Sequence, residues 1–156
     1  MAPGGPPAAR SKEQRKADTL AKLAAENLDG WVSSAPGAGR AHLVPLSMHW
    51  TGDRLVIAVE PPSVTARNIL ETRVARIGLG ATRDVVMMDV ELDAAYPVAE
   101  LPDEIGEGYA AQSDWDPRAV GGDYVYLVLR PTRVQAWREA NEIPGRTLMR
   151  DGTWLV

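Results

Sequence analysis

The chain of 156 residues is 45% hydrophobic, contains no cysteine and carries a formal net charge of −4. This length suits one domain with its own core, and the missing cysteine excludes disulfides, zinc–thiolate sites and cysteine nucleophiles. The negative charge argues against nucleic acid as a partner, because that binding depends on clustered Lys and Arg. No run reaches the roughly 18–20 apolar residues of a membrane span, and no secretory signal is evident at the N-terminus. We therefore expect a cytoplasmic protein with neither nucleic acid nor a membrane as partner.

The first ten residues are rich in Pro, Gly and Ala, which predicts a flexible tail at 1–10 followed by a single domain at 11–156. A helical pattern starts at Ser11. Its apolar residues recur on one face, and Asp29-Gly30 is predicted to end it. The members of this stripe are Leu20, Leu23, Ala24 and Leu28.

From Trp31 the apolar residues alternate, which indicates strands. Tight connections are predicted at Thr51-Gly52-Asp53, Arg83-Asp84 and Pro131-Thr132. The segment 99–122 is expected to be a loop with one helix near 102–111. Short strands on tight turns favour a mainly β fold, a closed or nearly closed antiparallel barrel. The predicted strands cover about 30–34, 41–50, 54–60, 74–82, 84–93, 123–130 and 132–138.

Conventional catalytic groups are few. His42 and His49 are the only histidines, and their separation of seven residues places them on opposite faces of a strand. The alternating carboxylates Asp89, Glu91 and Asp93 are typical of the solvated face of a sheet, so we expect no metal site. The sequence identifies no catalytic residue.

One turn combines several anion-binding groups. Pro61-Pro62 ends a strand, and a short helix is predicted from Ser63 to about Glu71. A helix start offers free backbone N–H groups and the positive end of the dipole, which suits phosphate. On spacing alone, a simple Ser63 cap with solvated neighbours explains the turn equally well. The candidate phosphate ligands are Ser63, Thr65, Arg67 and Asn68.

The order of these elements resembles the pyridoxamine 5'-phosphate oxidase-like split barrels, a flavin-binding family. The resemblance rests on "AHLVPLSMHWTGDRLVIAVEPPSVTARNIL", "RVARIGLGATRDVVMMDVEL" and "VYLVLRPTRVQAWRE", and covers about residues 20–139. The tail "EIPGRTLMRDGTWLV" is similar to the actinobacterial branch of the family. The resemblance implies a split antiparallel β-barrel that binds FMN or the deazaflavin F420.

The same resemblance implies a division of roles. The turn at Ser63, Thr65, Arg67 and Asn68 would hold the cofactor phosphate, and Val44, Pro45, Leu46 and Ser47 would line the ring. Family members are typically homodimers with the cofactor at the interface, so Trp137 and Arg138 would reach the site from the partner. The implied function is an oxidoreductase that transfers hydride to or from a small organic substrate. The alternative is a non-catalytic module that binds flavin or haem.

Two further expectations concern assembly and cofactor. Exposed Met48, Trp50 and Met87 are predicted to be buried across a two-fold interface. FMN is preferred over F420, because F420 carries carboxylates beyond its first phosphate and needs additional basic residues there. Lys12, Arg15 and Lys16 are candidates for that task, although a solvated helix start explains them equally well.

Overall fold

The computed structural model describes residues 4–156, which contain three α-helices and nine strands in one sheet. The helices are α1 (Lys12–Leu23), α2 (Val64–Thr72) and α3 (Asp103–Ser113), with short 3-10 turns at Val98–Glu100 and Ala140–Glu142. The strands are β1 (Asp29–Ser34), β2 (His42–Ser47), β3 (His49–Trp50), β4 (Leu55–Val59), β5 (Val74–Ala81), β6 (Asp84–Pro97), β7 (Val125–Trp137), β8 (Thr147–Arg150) and β9 (Thr153–Trp154).

The sheet closes on itself through Met48. β2 and β3 are two halves of one extended segment interrupted at this residue: β2 pairs with β1, and β3 pairs with β4. Since the strand order is β2-β1-β5-β6-β7-β4-β3 and every pairing is antiparallel, the last strand leads back to the first. No ladder joins β2 to β4 in residues 4–156, so the barrel wall is split there. The predicted fold, a mainly β split antiparallel barrel, is confirmed.

The two longest strands differ from the prediction. β7 runs without a break from Val125 to Trp137, so the predicted turn at Pro131-Thr132 is wrong. Proline has no N–H to donate, and the register with β6 shifts here, leaving Thr132 in a bulge. The tight connection predicted at Arg83-Asp84 is present one residue earlier, at Thr82-Arg83, because Ala81 pairs with Asp84. β8 and β9 were not predicted.

Helix α1 starts where the sequence predicts and ends earlier. The Ser11 hydroxyl accepts a hydrogen bond from the Gln14 N–H at 3.1 Å, which caps the first turn. The helix stops at Leu23, and the predicted end at Asp29-Gly30 is wrong because both residues belong to β1. The Gln112 side chain donates to the Leu23 carbonyl at 2.7 Å, which satisfies a carbonyl that the helix end leaves free.

A buried ionic cluster connects the two ends of the chain. The Glu142 carboxylate pairs with Arg10 at 3.0 Å and with Arg15 at 3.2 Å; Arg15 and Glu142 are buried, and the Arg10 side chain is 9% exposed. We call Arg10, Arg15 and Glu142 the terminal junction. Of the predicted tail, residues 1–3 lie outside the described residues, residues 4–9 are exposed without regular structure, and Arg10 belongs to the junction.

The apolar residues predicted to be exposed are buried to different degrees. Met48 is completely buried, so its predicted place at an interface is wrong, whereas Trp50, which packs against the barrel core, and Met87 are half-buried. The outer face of the sheet instead exposes Trp31 (53%) and Leu43 (59%). Trp31 pairs with Gly78, which pairs with Met87, so these residues form a row across the outer face.

The alternating carboxylates of β6 form an ion-paired ladder on that outer face. Burial alone would raise the pKa of Asp93, but hydrogen bonds from Arg54 and Arg130 outweigh it and hold the pKa below its ordinary value. Each carboxylate is therefore held by arginine. The closest pairs are Asp89–Arg76 at 2.7 Å, Glu91–Arg130 at 2.8 Å and Asp93–Arg54 at 2.6 Å.

Candidate functional site

A groove with a volume of about 580 Å³ lies at the split in the barrel wall. We call it the β2–β4 groove. It is lined by His42, Val44, Pro45, Leu46 and Ser47 of β2, by Ala58, Val59 and Glu60 at the end of β4, by Ser63, Val64 and Thr65 at the start of α2, and by Tyr109, Trp115 and Tyr124. All four residues predicted to line a ring therefore lie here.

The split gives the groove two kinds of surface. Within the described residues β2 pairs with β1 alone, so the backbone N–H and C=O groups along its other edge have no strand partner. The side chains around that edge are mostly apolar, and Leu46 packs against the core. The groove therefore combines a flat apolar wall with backbone hydrogen-bonding groups, as a planar heterocycle requires.

The start of α2 lies at one end of the groove. The Ser63 hydroxyl accepts from the Ala66 N–H at 3.1 Å, so Ser63 is the N-cap. The Val64 and Thr65 N–H groups have no backbone partner among residues 4–156. With the Thr65 hydroxyl, they form a donor set for an anion at the positive end of the helix dipole.

The other two predicted phosphate ligands lie beside the groove. Arg67 is exposed and makes no side-chain hydrogen bond or ion pair within residues 4–156, whereas Asn68 is buried and donates to the Ser34 hydroxyl at 3.3 Å. Both line a second cavity of about 550 Å³, which we call the basic hollow. Its lining is Pro36, Arg40, Ala41, His42, Val64, Arg67, Asn68 and Glu71.

The far wall of the groove is aromatic. The ring of Tyr109 meets Trp115 edge-on at 6.1 Å and Tyr126 at 5.4 Å, and its hydroxyl donates to the Ser47 carbonyl at 3.3 Å. Burial raises the pKa of Tyr109 well above its ordinary value and that of Tyr126 to about 12, so both stay protonated at neutral pH. Sequence reasoning missed this wall, although the isolated aromatic residues in the polar segment 99–122 were a signal for it.

Trp137 and Arg138 lie away from the groove and the hollow. Trp137 pairs with Val85 at the end of β7, and the Arg146 guanidinium stacks on its ring at 5.2 Å. Arg138 forms ion pairs with Asp84 at 3.3 Å and with Asp18 at 3.8 Å. Within one chain these two residues therefore do not reach the candidate site.

The two histidines have separate environments. His42 lines both the groove and the hollow. His49 Nδ1 lies 2.8 Å from the Gln112 Oε1, and the Gln112 amide nitrogen donates to two carbonyls, so His49 must carry its proton on Nδ1. Among residues 4–156, no three His, Asp or Glu side chains could together hold a metal ion.

Two of the three basic residues proposed for a longer cofactor tail make contacts within their own chain. Arg15 is buried in the terminal junction. Lys16 donates to the Val156 carbonyl at 2.7 Å and lies over the Trp154 ring. These two residues of the predicted group are therefore engaged within their own chain.

Solved structures resemble this chain over most of its length. An F420 reductase superposes with a TM-score of 0.57 at 18% identity, covering 72% of this chain and 92% of the other. A proposed pyridoxamine 5'-phosphate oxidase from Listeria innocua gives 0.60 at 14% identity, covering 81% and 98%. A haem-binding protein from Mycobacterium smegmatis gives 0.60 at 19% identity, covering 92% and 59%.

These likenesses define the class of fold. No protein-family model matches the chain, and no curated protein is significantly similar in sequence. At such low identity the structures establish the fold alone: the chain has the split-barrel fold of pyridoxamine 5'-phosphate oxidase-like proteins. The resemblance seen in the sequence is confirmed at that level. None of the helices in residues 4–156 is long and apolar enough to cross a membrane.

Proposed function

We propose that this chain is a flavin- or deazaflavin-dependent oxidoreductase that holds its cofactor in the β2–β4 groove. The cofactor is FMN, with F420 as the alternative, and the substrate is a small organic molecule. One observation carries the proposal: the groove joins a flat, mostly apolar wall to the free N–H groups of a helix start. Neighbouring folds named for FMN, F420 and pyridoxamine 5'-phosphate oxidase support it.

The residues present suit such a cofactor. Val44, Leu46 and the β2 backbone edge would contact the ring, and the start of α2 would hold the phosphate. Arg67 would add a cation from the adjoining turn. Glu60 also lines the groove and repels an anion, so we expect the phosphate to lie toward Thr65 and His42.

The chemistry of the groove agrees with an enzyme whose cofactor performs the redox step. A bound flavin supplies hydride transfer itself, so the protein need supply only binding, orientation and exclusion of water. The titratable residues that line the groove are His42, Glu60, Tyr109 and Tyr124. Tyr109 stays protonated and donates to Ser47, so it fixes the groove wall rather than accepting a proton.

We further propose a cytoplasmic homodimer with the cofactor near the interface and with neither nucleic acid nor a membrane as partner. The row of Trp31, Gly78 and Met87 lies on the outer face, where Trp31 is exposed and the other two are half-buried, and the exposed Leu43 of β2 belongs to the same apolar surface. A second copy seated there would cover these side chains and approach the groove from β2. Trp137 and Arg138 of the partner subunit would then complete the site.

Anaerobic titration tests the proposal. Purified protein is titrated with FMN and with F420, and the complex is then mixed with a reduced nicotinamide cofactor and an electron acceptor. We expect saturable binding and repeated turnover. No binding of either cofactor would refute the proposal, and sedimentation as a monomer at micromolar concentration would refute the shared site.

A second candidate is a non-catalytic module that binds flavin or haem. His42 favours the haem version, because it lines the groove and imidazole is an ordinary axial ligand of haem iron. His42→Ala separates the two functions. Loss of a haem absorption band together with unchanged flavin affinity would support storage or sensing of haem.

A further inference from the structure

Helix α3 contacts the strand segment on both sides of its interruption at Met48. Ser47 is the last residue of β2, and His49 is the first residue of β3. The Tyr109 hydroxyl donates to the Ser47 carbonyl at 3.3 Å, and the His49 Nδ1 donates to the Gln112 Oε1 at 2.8 Å. One helix is therefore attached to the strand on either side of the point where the barrel wall splits.

Gln112 fixes the end of α3. Its side-chain oxygen also accepts from the Trp50 N–H at 2.8 Å, and its amide nitrogen donates to the Leu23 carbonyl at 2.7 Å and to the Ala25 carbonyl at 3.1 Å. Its own backbone carbonyl accepts from the Asn27 N–H at 2.7 Å. Because the amide oxygen and the amide nitrogen each have two partners, the side chain holds the end of α3 against β3 and the end of α1.

Gly108 allows α3 to lie directly against the His49 ring. A Cβ atom at position 108 would overlap the His49 Nε2 and lie 2.8 Å from the Cε1. The ring has little freedom to move away, since His49 pairs with Val56 in the sheet and its Nδ1 is bonded to Gln112. Glycine is a poor helix former, and this close approach accounts for its place inside α3.

The position of α3 determines the position of the aromatic wall. Tyr109 follows Gly108 in the helix, and Trp115 follows the end of the helix; both line the groove. Asp114 ends α3 with a φ of +55°, and Trp115 turns back to meet the Tyr109 ring edge-on at 6.1 Å. Because these rings face the groove from the side of α3, a displacement of the helix from β3 would change the distance between the wall and β2.

We propose that His49 is a positioning residue that sets the width of the β2–β4 groove. Gln112 and Gly108 hold α3 against its ring, and α3 carries the aromatic wall. His49 does not itself line the groove, so it acts through the wall and not by contact with the ligand. The inference rests on the proposed function, because the ligand that detects the width is the flat ring of a flavin.

Three variants separate this role from simple support of the fold. Gly108→Ala places a methyl group against the His49 ring and should displace α3, although alanine favours the helix itself. His49→Asn removes the ring atoms that the methyl group would meet and keeps a side-chain N–H donor for Gln112. The double variant therefore has room for the methyl group and retains the contact with Gln112. Circular dichroism confirms folding of each variant.

Affinities for riboflavin and FMN are measured by fluorescence titration with the wild type and the three variants. We expect Gly108→Ala to weaken both ligands by the same factor, about 5-fold or more, because contacts with aromatic rings are lost while the phosphate site is unchanged. The same methyl group added to His49→Asn should change either affinity by less than about 2-fold. Amide hydrogen exchange without ligand should be faster in α3 of Gly108→Ala than in α3 of the double variant.

The opposite results are equally specific. Unchanged affinities in Gly108→Ala, a loss confined to FMN, or the same loss from the methyl group with and without the His49 ring would overturn the positioning role. So would equal exchange of α3 in Gly108→Ala and the double variant. In each of these cases flavin binding by the wild type would leave the proposed function standing. A wild type that binds neither ligand would overturn both.

Discussion

The terminal junction and the basic hollow use arginine in opposite ways. In the junction, Arg10 and Arg15 are buried on one carboxylate and form part of the folded structure. In the hollow, Arg40 and Arg67 are exposed and have no side-chain partner within residues 4–156. When a buried ion pair loses one partner, the other charge stays buried without compensation and the fold is destabilised. An unpaired surface cation affects folding little and is free to bind a ligand. The comparison separates charges that are paired within the fold from charges that are left available to a ligand.

The largest effect is expected from breaking the junction. Glu142→Ala leaves the buried Arg15 guanidinium without a carboxylate and leaves Arg10 with Asp18 as its close partner, so the free energy of unfolding should fall by about 3 kcal/mol, measured by urea denaturation. Glu139→Ala is the control, since Glu139 pairs with an exposed Arg83 and should cost less than about 1 kcal/mol. Similar losses in the free energy of unfolding in both variants would show that the terminal junction stabilises the fold no more than an exposed ion pair does.

Arg67→Ala tests the exposed arginines of the basic hollow. Removal of a charged hydrogen bond to phosphate should cost about 1.5–3 kcal/mol of binding, or roughly 10- to 150-fold in FMN affinity, with the free energy of unfolding nearly unchanged. Fluorescence quenching measures the affinity, and Arg150→Ala is the matched control, since Arg150 is an exposed arginine that lines neither the groove nor the hollow. Unaltered affinity would mean that Arg67 is a solvated surface residue.

Ser63 contributes both to the stability of α2, as its N-cap, and to the proposed phosphate site. Ser63→Ala should cost about 1 kcal/mol of stability through loss of the N-cap. Ser63→Asp keeps the cap but places a carboxylate at the phosphate position, so FMN affinity should fall while the midpoint of thermal unfolding stays close to that of the wild type. If Ser63→Asp left FMN affinity intact, the phosphate would have to lie elsewhere.

The smallest effect concerns pH. Burial alone would raise the pKa of Asp84, but hydrogen bonds from Lys22 and Arg138 outweigh it and hold the pKa below 3.8. A lowered pKa in the folded state stabilises the protein above pH 3.8, and this contribution is lost as the pH falls through the folded value. Asp84→Asn should reduce this loss of stability at acid pH by less than about 1 kcal/mol, because the ion pair between Asp84 and Lys22 is partly exposed. The free energy of unfolding is measured by urea denaturation at several pH values. If it fell with decreasing pH equally in Asp84→Asn and in the wild type, the prediction would be contradicted.

The sequence predicted the groove's strand and helix start better than its surroundings. Alternation at Val44 to Ser47 and the cap at Ser63 are local signals, and both lie at the groove. Arg40 and the aromatic residues Tyr109 and Trp115 come from distant segments, so only tertiary packing brings them to the cavities. No local pattern indicated Arg40, and the isolated aromatic residues of segment 99–122 were a signal that did not show which cavity they line.

The errors have similar physical causes. Proline normally ends a strand, but a bulge at Thr132 let β7 continue through Pro131. Met48 lies on the same face of its strand as the half-buried Val44 and Leu46, so its burial follows the alternation, and the prediction had placed this face on the outside. Alternation separates the two faces of a strand but does not show which of them is buried.

The most direct test of the account is the difference in affinity between FMN and riboflavin, which differ only in the phosphate. Fluorescence titration of the wild-type protein with both ligands, under identical salt, measures it. If the groove holds the ring and the start of α2 holds the phosphate, FMN should bind at least about 10-fold more tightly than riboflavin. Equal affinity for the two ligands would contradict the proposed phosphate site.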